Sequence, residues 1–145
     1  VADMTWPEFT AATGLWTIPA ARMKGGRAHE VPLGPAAIGL LAGLPRFNAG
    51  PFVFTTTSGA KAVNGFSKAK DRIDALSGVS GWKLHDLRRT MRTHLSALPV
   101  QDLVRELVIA HAKPGLHRVY DQHAYQAEKR EALELWERRL RAIIE

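Results

Sequence analysis

The chain has 145 residues, of which 46% are hydrophobic and 23% charged, and its formal net charge is +6. This ordinary globular composition excludes a disordered or collagen-like protein, and the length suffices for one domain with its own core. Cysteine is absent, which excludes disulfides, thiolate metal sites and a cysteine nucleophile and fits a reducing compartment. No apolar run approaches the roughly 20 residues of a membrane span, and no signal-peptide pattern is visible. The positive surplus is compatible with a polyanionic partner.

The first third of the chain is predicted to form a β-hairpin followed by a short helix. Residues 15–18 are rich in strand-forming side chains, and residues 29–33 form a second extended segment. Between them, residues 22–27 make a basic turn whose glycine pair permits positive φ. Pro35 is favourable in a first helical turn, so a helix is expected over residues 35–44.

The remainder is predicted to be mainly helical after a brief strand at residues 52–54. Asn64 is a candidate cap for a helix over 65–76, and further helices are expected over 82–97, 101–110 and 124–144, with a short helix or turn at 116–121. Helical spacing of apolar residues predicts the inward faces: Phe66, Ala69, Ile73 and Leu76 on the first, Leu84, Leu87, Met91 and Leu95 on the second, and Leu133, Trp136, Leu140 and Ile143 on the last. Two pairs, Glu134 with Arg138 and Glu137 with Arg141, are spaced to form ion pairs on the outer face of the last helix. The predicted fold class is α+β, mainly helical, with a small antiparallel sheet at one edge.

Five residues along this framework have side chains suited to chemistry on a phosphate. Lys24 lies in the basic turn, and His111 ends the third helix. His85 and Arg88 form a His-x-x-Arg motif whose spacing places both on one helix face. Tyr120 follows in a Val-Tyr pair. The order is therefore Lys, His-x-x-Arg, His and Tyr.

This ordered set resembles the catalytic half of the tyrosine recombinases, the phage-integrase family. The hairpin sequences Trp-Thr-Ile-Pro at 16–19, Arg-Met-Lys at 22–24 and Val-Pro-Leu at 31–33 are similar to those of prophage integrases. Residues 84–90, LHDLRRT, resemble the central box of that family, and residues 119–121 with Trp136 resemble its C-terminal segment. The resemblance covers nearly the whole chain, and it implies the α+β fold of the integrase catalytic core.

The resemblance also implies a reaction, which is site-specific DNA recombination through a 3′-phosphotyrosyl intermediate during integration or excision of a prophage or mobile element. Tyr120 would be the nucleophile, and Lys24 the general acid that protonates the leaving 5′-oxygen. Arg88 and His111 would stabilise the negative charge of the transition state, and His85 would assist proton transfer. No metal, ATP or other cofactor is implied, because the protein supplies the positive charge and the phosphotyrosyl bond conserves the bond energy.

One catalytic residue of the family has no counterpart in this chain. Recombinases of this type use two arginines, and the first lies on a helix just upstream of the hairpin. Residues 1–6 resemble the sequence that directly follows that arginine and the glutamate after it, and Arg22 and Arg27 are in the wrong place to substitute. We therefore interpret residues 1–145 as an N-terminally truncated catalytic domain that lacks the DNA-binding N-terminal domain, and expect the isolated chain to be inactive.

Four further cations are predicted to contact the DNA backbone. Arg22 and Arg27 lie in the hairpin turn, and Lys83 and Arg89 flank the His-x-x-Arg motif. Taken singly, such residues are ordinary: a turn lysine is usually solvated, and adjacent arginines on a helix usually face water. The shared order and spacing favour the catalytic interpretation.

Two other chemical roles are considered for residues outside these motifs, a second nucleophile and a metal site. Tyr125 is an alternative nucleophile, but its spacing from His111 fits the family pattern less well than that of Tyr120. The histidines outside the motifs show no metal-ligand spacing, so no metal site is predicted; they are His29, His94, His117 and His123.

The main alternative function is a non-catalytic DNA-binding module, with residues 82–97 and 101–110 as a helix-turn-helix. The second of these helices carries Arg105 beside Asp102 and Glu106, which offers few donors to base edges. A third interpretation is an interaction domain whose last helix docks on a partner.

The partners that the family resemblance implies are double-stranded DNA and further copies of the protein on it, as a tetramer in the recombination complex. Neither a membrane nor a small-molecule cofactor is implied. The implied location is the bacterial cytoplasm or nucleoid.

Overall fold

Three short strands form an antiparallel sheet in the N-terminal third of the chain. The computed structural model describes residues 1–111 and 123–145. Strands β1 (Phe9–Thr10), β2 (Leu15–Ile18) and β3 (His29–Pro32) pair in chain order, and Ile18 lies opposite His29. The predicted hairpin of β2 and β3 is therefore confirmed. The edge strand β1 was not predicted, because two residues are too few to show a period.

Helices make up most of the remaining described structure. Those found in residues 1–111 and 123–145 are α1 (Pro35–Ala42), α2 (Phe66–Ser77), α3 (Leu84–Ser96), α4 (Asp102–Val108) and α5 (Gln126–Ile144). The mixed α and β architecture with a small antiparallel sheet is therefore confirmed. The helix or turn expected at residues 116–121 lies outside the described residues.

The buried apolar side chains fall into two groups. The first packs the sheet against α1 and the segment after it, and consists of Met4, Trp16, Leu41 and Val53. The second lies on or just after the later helices, and consists of Leu95, Val104, Ile109 and Ala132. Helix α5 packs against β3, α4 and α3. The last helix therefore joins the sheet to the helices that carry the His-x-x-Arg motif.

Two local predictions in the middle of the chain were wrong. Residues 52–54 do not form a strand, because Phe52 makes only an isolated bridge with Thr5. The helix predicted from Gly65 begins at Phe66, and Gly65 rather than Asn64 occupies the cap position. Gly65 has φ 77°, a left-handed conformation that glycine adopts without strain. The chain therefore enters α2 by a glycine turn and not through a side-chain cap.

The predicted inward faces of two helices are largely exposed. On α2, Phe66 is 47%, Ile73 48% and Leu76 78% exposed. On α3, Leu87 is exposed while Leu95, two turns later, is fully buried. Helical periodicity identifies which side chains share a face but not whether another element covers it. The prediction of an inward stripe was therefore wrong for α2 and for the first turns of α3, including Leu84.

The stripe of α5 is also displaced from its predicted position. Leu140 and Ile143 are exposed, whereas Lys129 and Ala132 are buried. The Lys129 ammonium is accommodated because its Nζ donates to the Glu30 carbonyl of β3 at 2.9 Å. Burial on α5 is therefore deepest in its N-terminal half, Leu133 and Trp136 of the predicted stripe are half-buried, and one of the fully buried residues is a lysine.

Glu137 connects α5 to the start of α1. Its carboxylate accepts the Ala36 N–H at 3.1 and 3.2 Å, so it satisfies one of the donors that every helix leaves free in its first turn. A side chain on Gly34 would bring a Cβ to 2.5 Å from the same carboxylate, so a larger residue there would require the Glu137 side chain to shift. The expected pair with Arg141 is present at 3.2 Å. Its placement on an outer face was wrong for Glu137, whose side chain is only 19% exposed.

Replacing Glu137 with Ala is expected to lower the free energy of unfolding by about 1–2 kcal/mol, because α1 loses its N-terminal acceptor and the favourable charge at that end. Denaturant unfolding monitored by tryptophan fluorescence measures this change. Glu134→Ala, on the same helix, is the control and should stay within about 0.5 kcal/mol of the wild type. Equal losses in the two variants would contradict the capping role.

Candidate active site

The His-x-x-Arg motif occupies the first two turns of α3. The Asp86 carboxylate fixes the start of this helix by accepting the Lys83 N–H at 2.9 Å. That hydrogen bond holds the pKa of Asp86 below its ordinary value, and Arg89 acts in the same direction. His85 is exposed and Arg88, one turn later, is half-buried. The motif therefore sits on a helix end whose position is defined by its own N-terminal hydrogen bond.

Arg88 reaches across to the C-terminal end of α4. Its Nη2 donates to the Ile109 carbonyl, which is one of the free acceptors at a helix end. His111 lies two residues further along the chain. The packing of α3 on α4 thus brings Arg88 and His111, which are distant in sequence, to the same end of one helix. A guanidinium carries five N–H donors, and the bond to Ile109 uses one of them.

A carboxylate holds His111 in place. The ring Nδ1 lies 2.5 Å from the Oε2 of Glu106, and the His111 backbone N–H donates to the Glu106 carbonyl at 2.9 Å. Arg92 of α3 in turn donates from Nε to Glu106 at 2.7 Å and from Nη2 to Asp102 at 2.8 Å. Hydrogen bonds from His111 and then Arg92 hold the pKa of Glu106 below its ordinary value. The residues form one polar chain between α3 and the end of α4.

The sheet contributes to this region a histidine that lies outside the predicted motifs. His29, the first residue of β3, is half-buried beside Arg88, Lys129 and the Val108 backbone. Burial lowers the pKa of His29, and the positive charges of Lys129 and Arg88 act in the same direction. Burial likewise lowers the pKa of Lys129. Lys129 shares an i,i+3 stripe with Ala132, a signal that could have identified it as inward-facing.

Lowering the pH from 7.5 to 5.5 is expected to reduce the free energy of unfolding more in the wild type than in His29→Gln. The unfolded chain binds a proton at His29 near pH 6.5, whereas the folded state resists protonation. The contribution of neutral His29 to the free energy of unfolding is therefore fully present above about pH 6.5. It is lost as the pH falls through the folded-state pKa, with a slope of at most about 1.4 kcal/mol per pH unit.

Denaturant titrations at the two pH values measure this difference. His85→Gln is the matched control, because His85 is exposed on α3, and it should keep the wild-type pH dependence. An equal loss of stability on acidification in the wild type and in His29→Gln would contradict the assignment.

The predicted cations of the hairpin turn differ in whether they bind other residues of the protein. Lys24 and Arg27 are exposed in the segment between the short 3-10 helix at Ala20–Arg22 and β3. Arg22 pairs with the Glu8 carboxylate and donates to the Asp3 carbonyl. Its guanidinium therefore has a role within the fold that the sequence did not predict. Lys24 and Arg27 point to solvent on the hairpin that also carries His29.

The two cations beside the motif on α3 are exposed. Lys83 occupies the cap position of the helix, and Arg89 pairs with Asp86 at 3.1 Å while its own side chain remains 75% exposed.

Tyr120, the predicted nucleophile, lies outside the described residues. Tyr125 directly precedes α5, and its ring makes an edge contact with His123 at 4.5 Å. In residues 1–111 and 123–145, no group of three or more His, Cys, Asp or Glu side chains is arranged to hold a metal ion.

Helix α4 has a different environment from that of a recognition helix. Two of its acidic side chains, Asp102 and Glu106, bind Arg92 of α3, and Arg105 lies 3.5 Å from Asp102 with its side chain only 18% exposed. The helix also packs against α5. The observed contacts of α4 are thus internal, and they add nothing in favour of the helix-turn-helix alternative.

The sequence is similar to one curated protein, prophage integrase IntA of Escherichia coli (strain K12). The two are 28% identical over 144 residues, which cover 93% of this chain and 33% of that protein. The chain therefore spans about a third of the length of the relative it matches. No family model matches the sequence, and no solved structure matches it. These comparisons support an integrase-like relationship over most of the chain.

None of the helices in the described part of the chain is long and apolar enough to cross a membrane.

Proposed function

We propose that this chain is the catalytic part of a tyrosine-type site-specific DNA recombinase that acts in integration or excision of a prophage or mobile element. The observation that carries the proposal is the hydrogen bond from Arg88 of α3 to the Ile109 carbonyl, two residues before His111 in the chain. This contact supports a common site for two residues that the family motif pairs by function but that come from different elements. Similarity to a prophage integrase along 93% of the chain supports the same assignment.

In this proposal the reaction is an in-line displacement at a DNA phosphate. The Tyr120 oxygen attacks phosphorus and forms a 3′-phosphotyrosyl bond, while the bond to the 5′-oxygen breaks and Lys24 protonates that oxygen. Arg88 supplies a planar fork of donors to the non-bridging oxygens, where negative charge develops. His111 donates to one of them. His85, exposed one turn before Arg88 on α3, accepts the proton that the Tyr120 hydroxyl loses as its oxygen bonds to phosphorus.

The proposed partner is duplex DNA, bound by further copies of the protein when two sites are paired. The net charge of +6 favours a polyanion. Lys24, Arg27, Lys83 and Arg89 are exposed and can contact phosphates without leaving a buried position. Arg22 contributes less, because Glu8 and Asp3 already engage it.

Covalent trapping tests the proposal. A form of the protein extended upstream of Val1 is incubated with a pool of nicked duplexes that are randomised around the nick, so that cleavage releases a short strand and prevents religation. Covalent protein–DNA species are then isolated under denaturing conditions and sequenced, which also identifies the target. The proposal predicts covalent attachment of the extended form to DNA. Retention of DNA without attachment by the extended form would instead favour the binding module.

A further inference from the structure

The contacts of His111 assign a role to a residue that no motif included. We propose that Glu106 is a positioning residue, which holds His111 through Nδ1 so that Nε2 faces the DNA phosphate. The proposal rests on the proposed function for the identity of the substrate, but its geometric part concerns only residues of this chain.

The Glu106 carboxylate determines which ring nitrogen of His111 carries a hydrogen. An ionised carboxylate can only accept hydrogen bonds, and Glu106 Oε2 lies 2.5 Å from His111 Nδ1. The nitrogen facing Glu106 must therefore be the protonated one, in both the neutral and the charged forms of the ring. Nε2 is then the nitrogen at which the ring gains or loses its second proton, and it is the one left to meet a substrate. When both nitrogens are protonated, Nε2 donates to a non-bridging phosphate oxygen.

The Glu106 carboxylate is itself held by a hydrogen bond from Arg92. Its Oε1 accepts from the Arg92 Nε at 2.7 Å, so the two carboxylate oxygens have different partners and the group cannot rotate freely. The backbone adds a third restraint, since the His111 N–H donates to the Glu106 carbonyl at 2.9 Å. Ring orientation is thus fixed from the side chain and from the main chain together. This arrangement matches the general use of carboxylates to set the tautomer and direction of a functional histidine.

The Arg88 contact lies close in the chain to the Glu106–His111 pair. The Arg88 guanidinium donates to the Ile109 carbonyl, two residues before His111 in the chain. Arg88 comes from α3, as does Arg92. The same two helices therefore place the arginine and orient the histidine, so a shift between α3 and α4 would misplace both. Glu106 links the histidine to α3 directly.

Long-range ¹H–¹⁵N NMR of the His111 ring, recorded on the 145-residue chain, provides the test that does not depend on DNA chemistry. The wild type is expected to carry the hydrogen on Nδ1. Glu106→Gln keeps an acceptor of the same length and should preserve this tautomer, whereas Glu106→Ala should convert a large part of the population to the Nε2–H tautomer. Asp102→Ala is the matched control, because Asp102 also binds Arg92 but has no contact with His111 among its described hydrogen bonds. An unchanged tautomer in Glu106→Ala overturns the proposal.

Covalent trapping with the upstream-extended form supplies the functional readout. Glu106→Ala is expected to lower the rate of attachment about 10- to 100-fold, because the His111 ring loses the acceptor that fixes its orientation toward the phosphate. Glu106→Gln should restore most of the rate, and Asp102→Ala should remain close to the wild type. Equal losses in Glu106→Ala and Asp102→Ala would reveal a merely structural contribution and overturn the proposal. Absence of attachment by the wild-type extended form would contradict the proposed function, and the NMR result would still decide whether Glu106 orients the ring.

Discussion

Replacing Tyr120 with Phe is expected to abolish covalent attachment of the upstream-extended protein to nicked DNA and to leave non-covalent binding nearly unchanged. The phenol oxygen is the only atom removed, and it is the atom that would bond to phosphorus. Loss of a nucleophile in a covalent mechanism costs on the order of 10⁶ in rate, which is below detection in a gel assay. Binding by electrophoretic mobility shift should stay within about two-fold, because phosphate contacts made by cations dominate affinity.

Tyr125→Phe is the matched control for this experiment. Both substitutions remove one hydroxyl from a tyrosine in the same stretch of chain, and Tyr125 immediately precedes α5. We expect Tyr125→Phe to retain attachment. The reverse result, with attachment lost in Tyr125→Phe and kept in Tyr120→Phe, would show that the nucleophile has been misassigned. Attachment by both single variants would exclude a tyrosine at either position as the sole nucleophile.

Replacing Arg88 with Ala is expected to reduce the rate of attachment on the order of 10²- to 10³-fold, the usual effect of removing one pre-positioned donor to a developing oxyanion. Arg88→Lys should recover only part of the rate, because an ammonium keeps the charge but lacks the planar fork. Attachment rates at saturating DNA separate this effect from weaker binding.

Two controls define the meaning of an Arg88 effect. The variant also deprives the Ile109 carbonyl of its donor, so the melting temperature of each variant must be measured, and only the rate among folded molecules is compared. Arg89→Ala removes the neighbouring arginine, whose side chain is exposed and paired with Asp86, and it should change the rate less than about three-fold. Equal losses for the two arginines would point to general phosphate attraction and contradict a specific role for Arg88.

The hairpin and most helix positions could be predicted from the sequence because their signals are local. Strand-forming residues at 15–18 coincide with β2, and Pro35 opens α1 as its fixed φ favours. The position of Arg88 on α3, one turn after His85, also follows from helical spacing alone. What these signals lack is information about neighbours that come from another part of the chain.

The incorrect predictions share one cause, which is a contact with a residue from another part of the chain. Burial of Lys129 depends on the Glu30 carbonyl of a distant strand, and the inward direction of Glu137 depends on the N–H of Ala36. The link between Glu106 and His111 joins α4 to a residue three positions beyond its end, and a separation of five residues belongs to no regular helix face. Exposure of Leu76 on α2 is the opposite case, in which the sequence predicts a face that the described residues leave open.

The contact between Glu137 and Ala36 joins residues separated by 101 positions, and α5 also packs on β3, α4 and α3. A ribosome adds roughly 5–20 residues per second, so α1 and the hairpin leave the exit tunnel several seconds before their partner helix has been made. During that interval Ala36 lacks its acceptor and the Glu30 carbonyl lacks the Lys129 ammonium. Nascent chains arrested before Gln126 should consequently be digested readily by protease, and resistance should arise only once α5 has emerged.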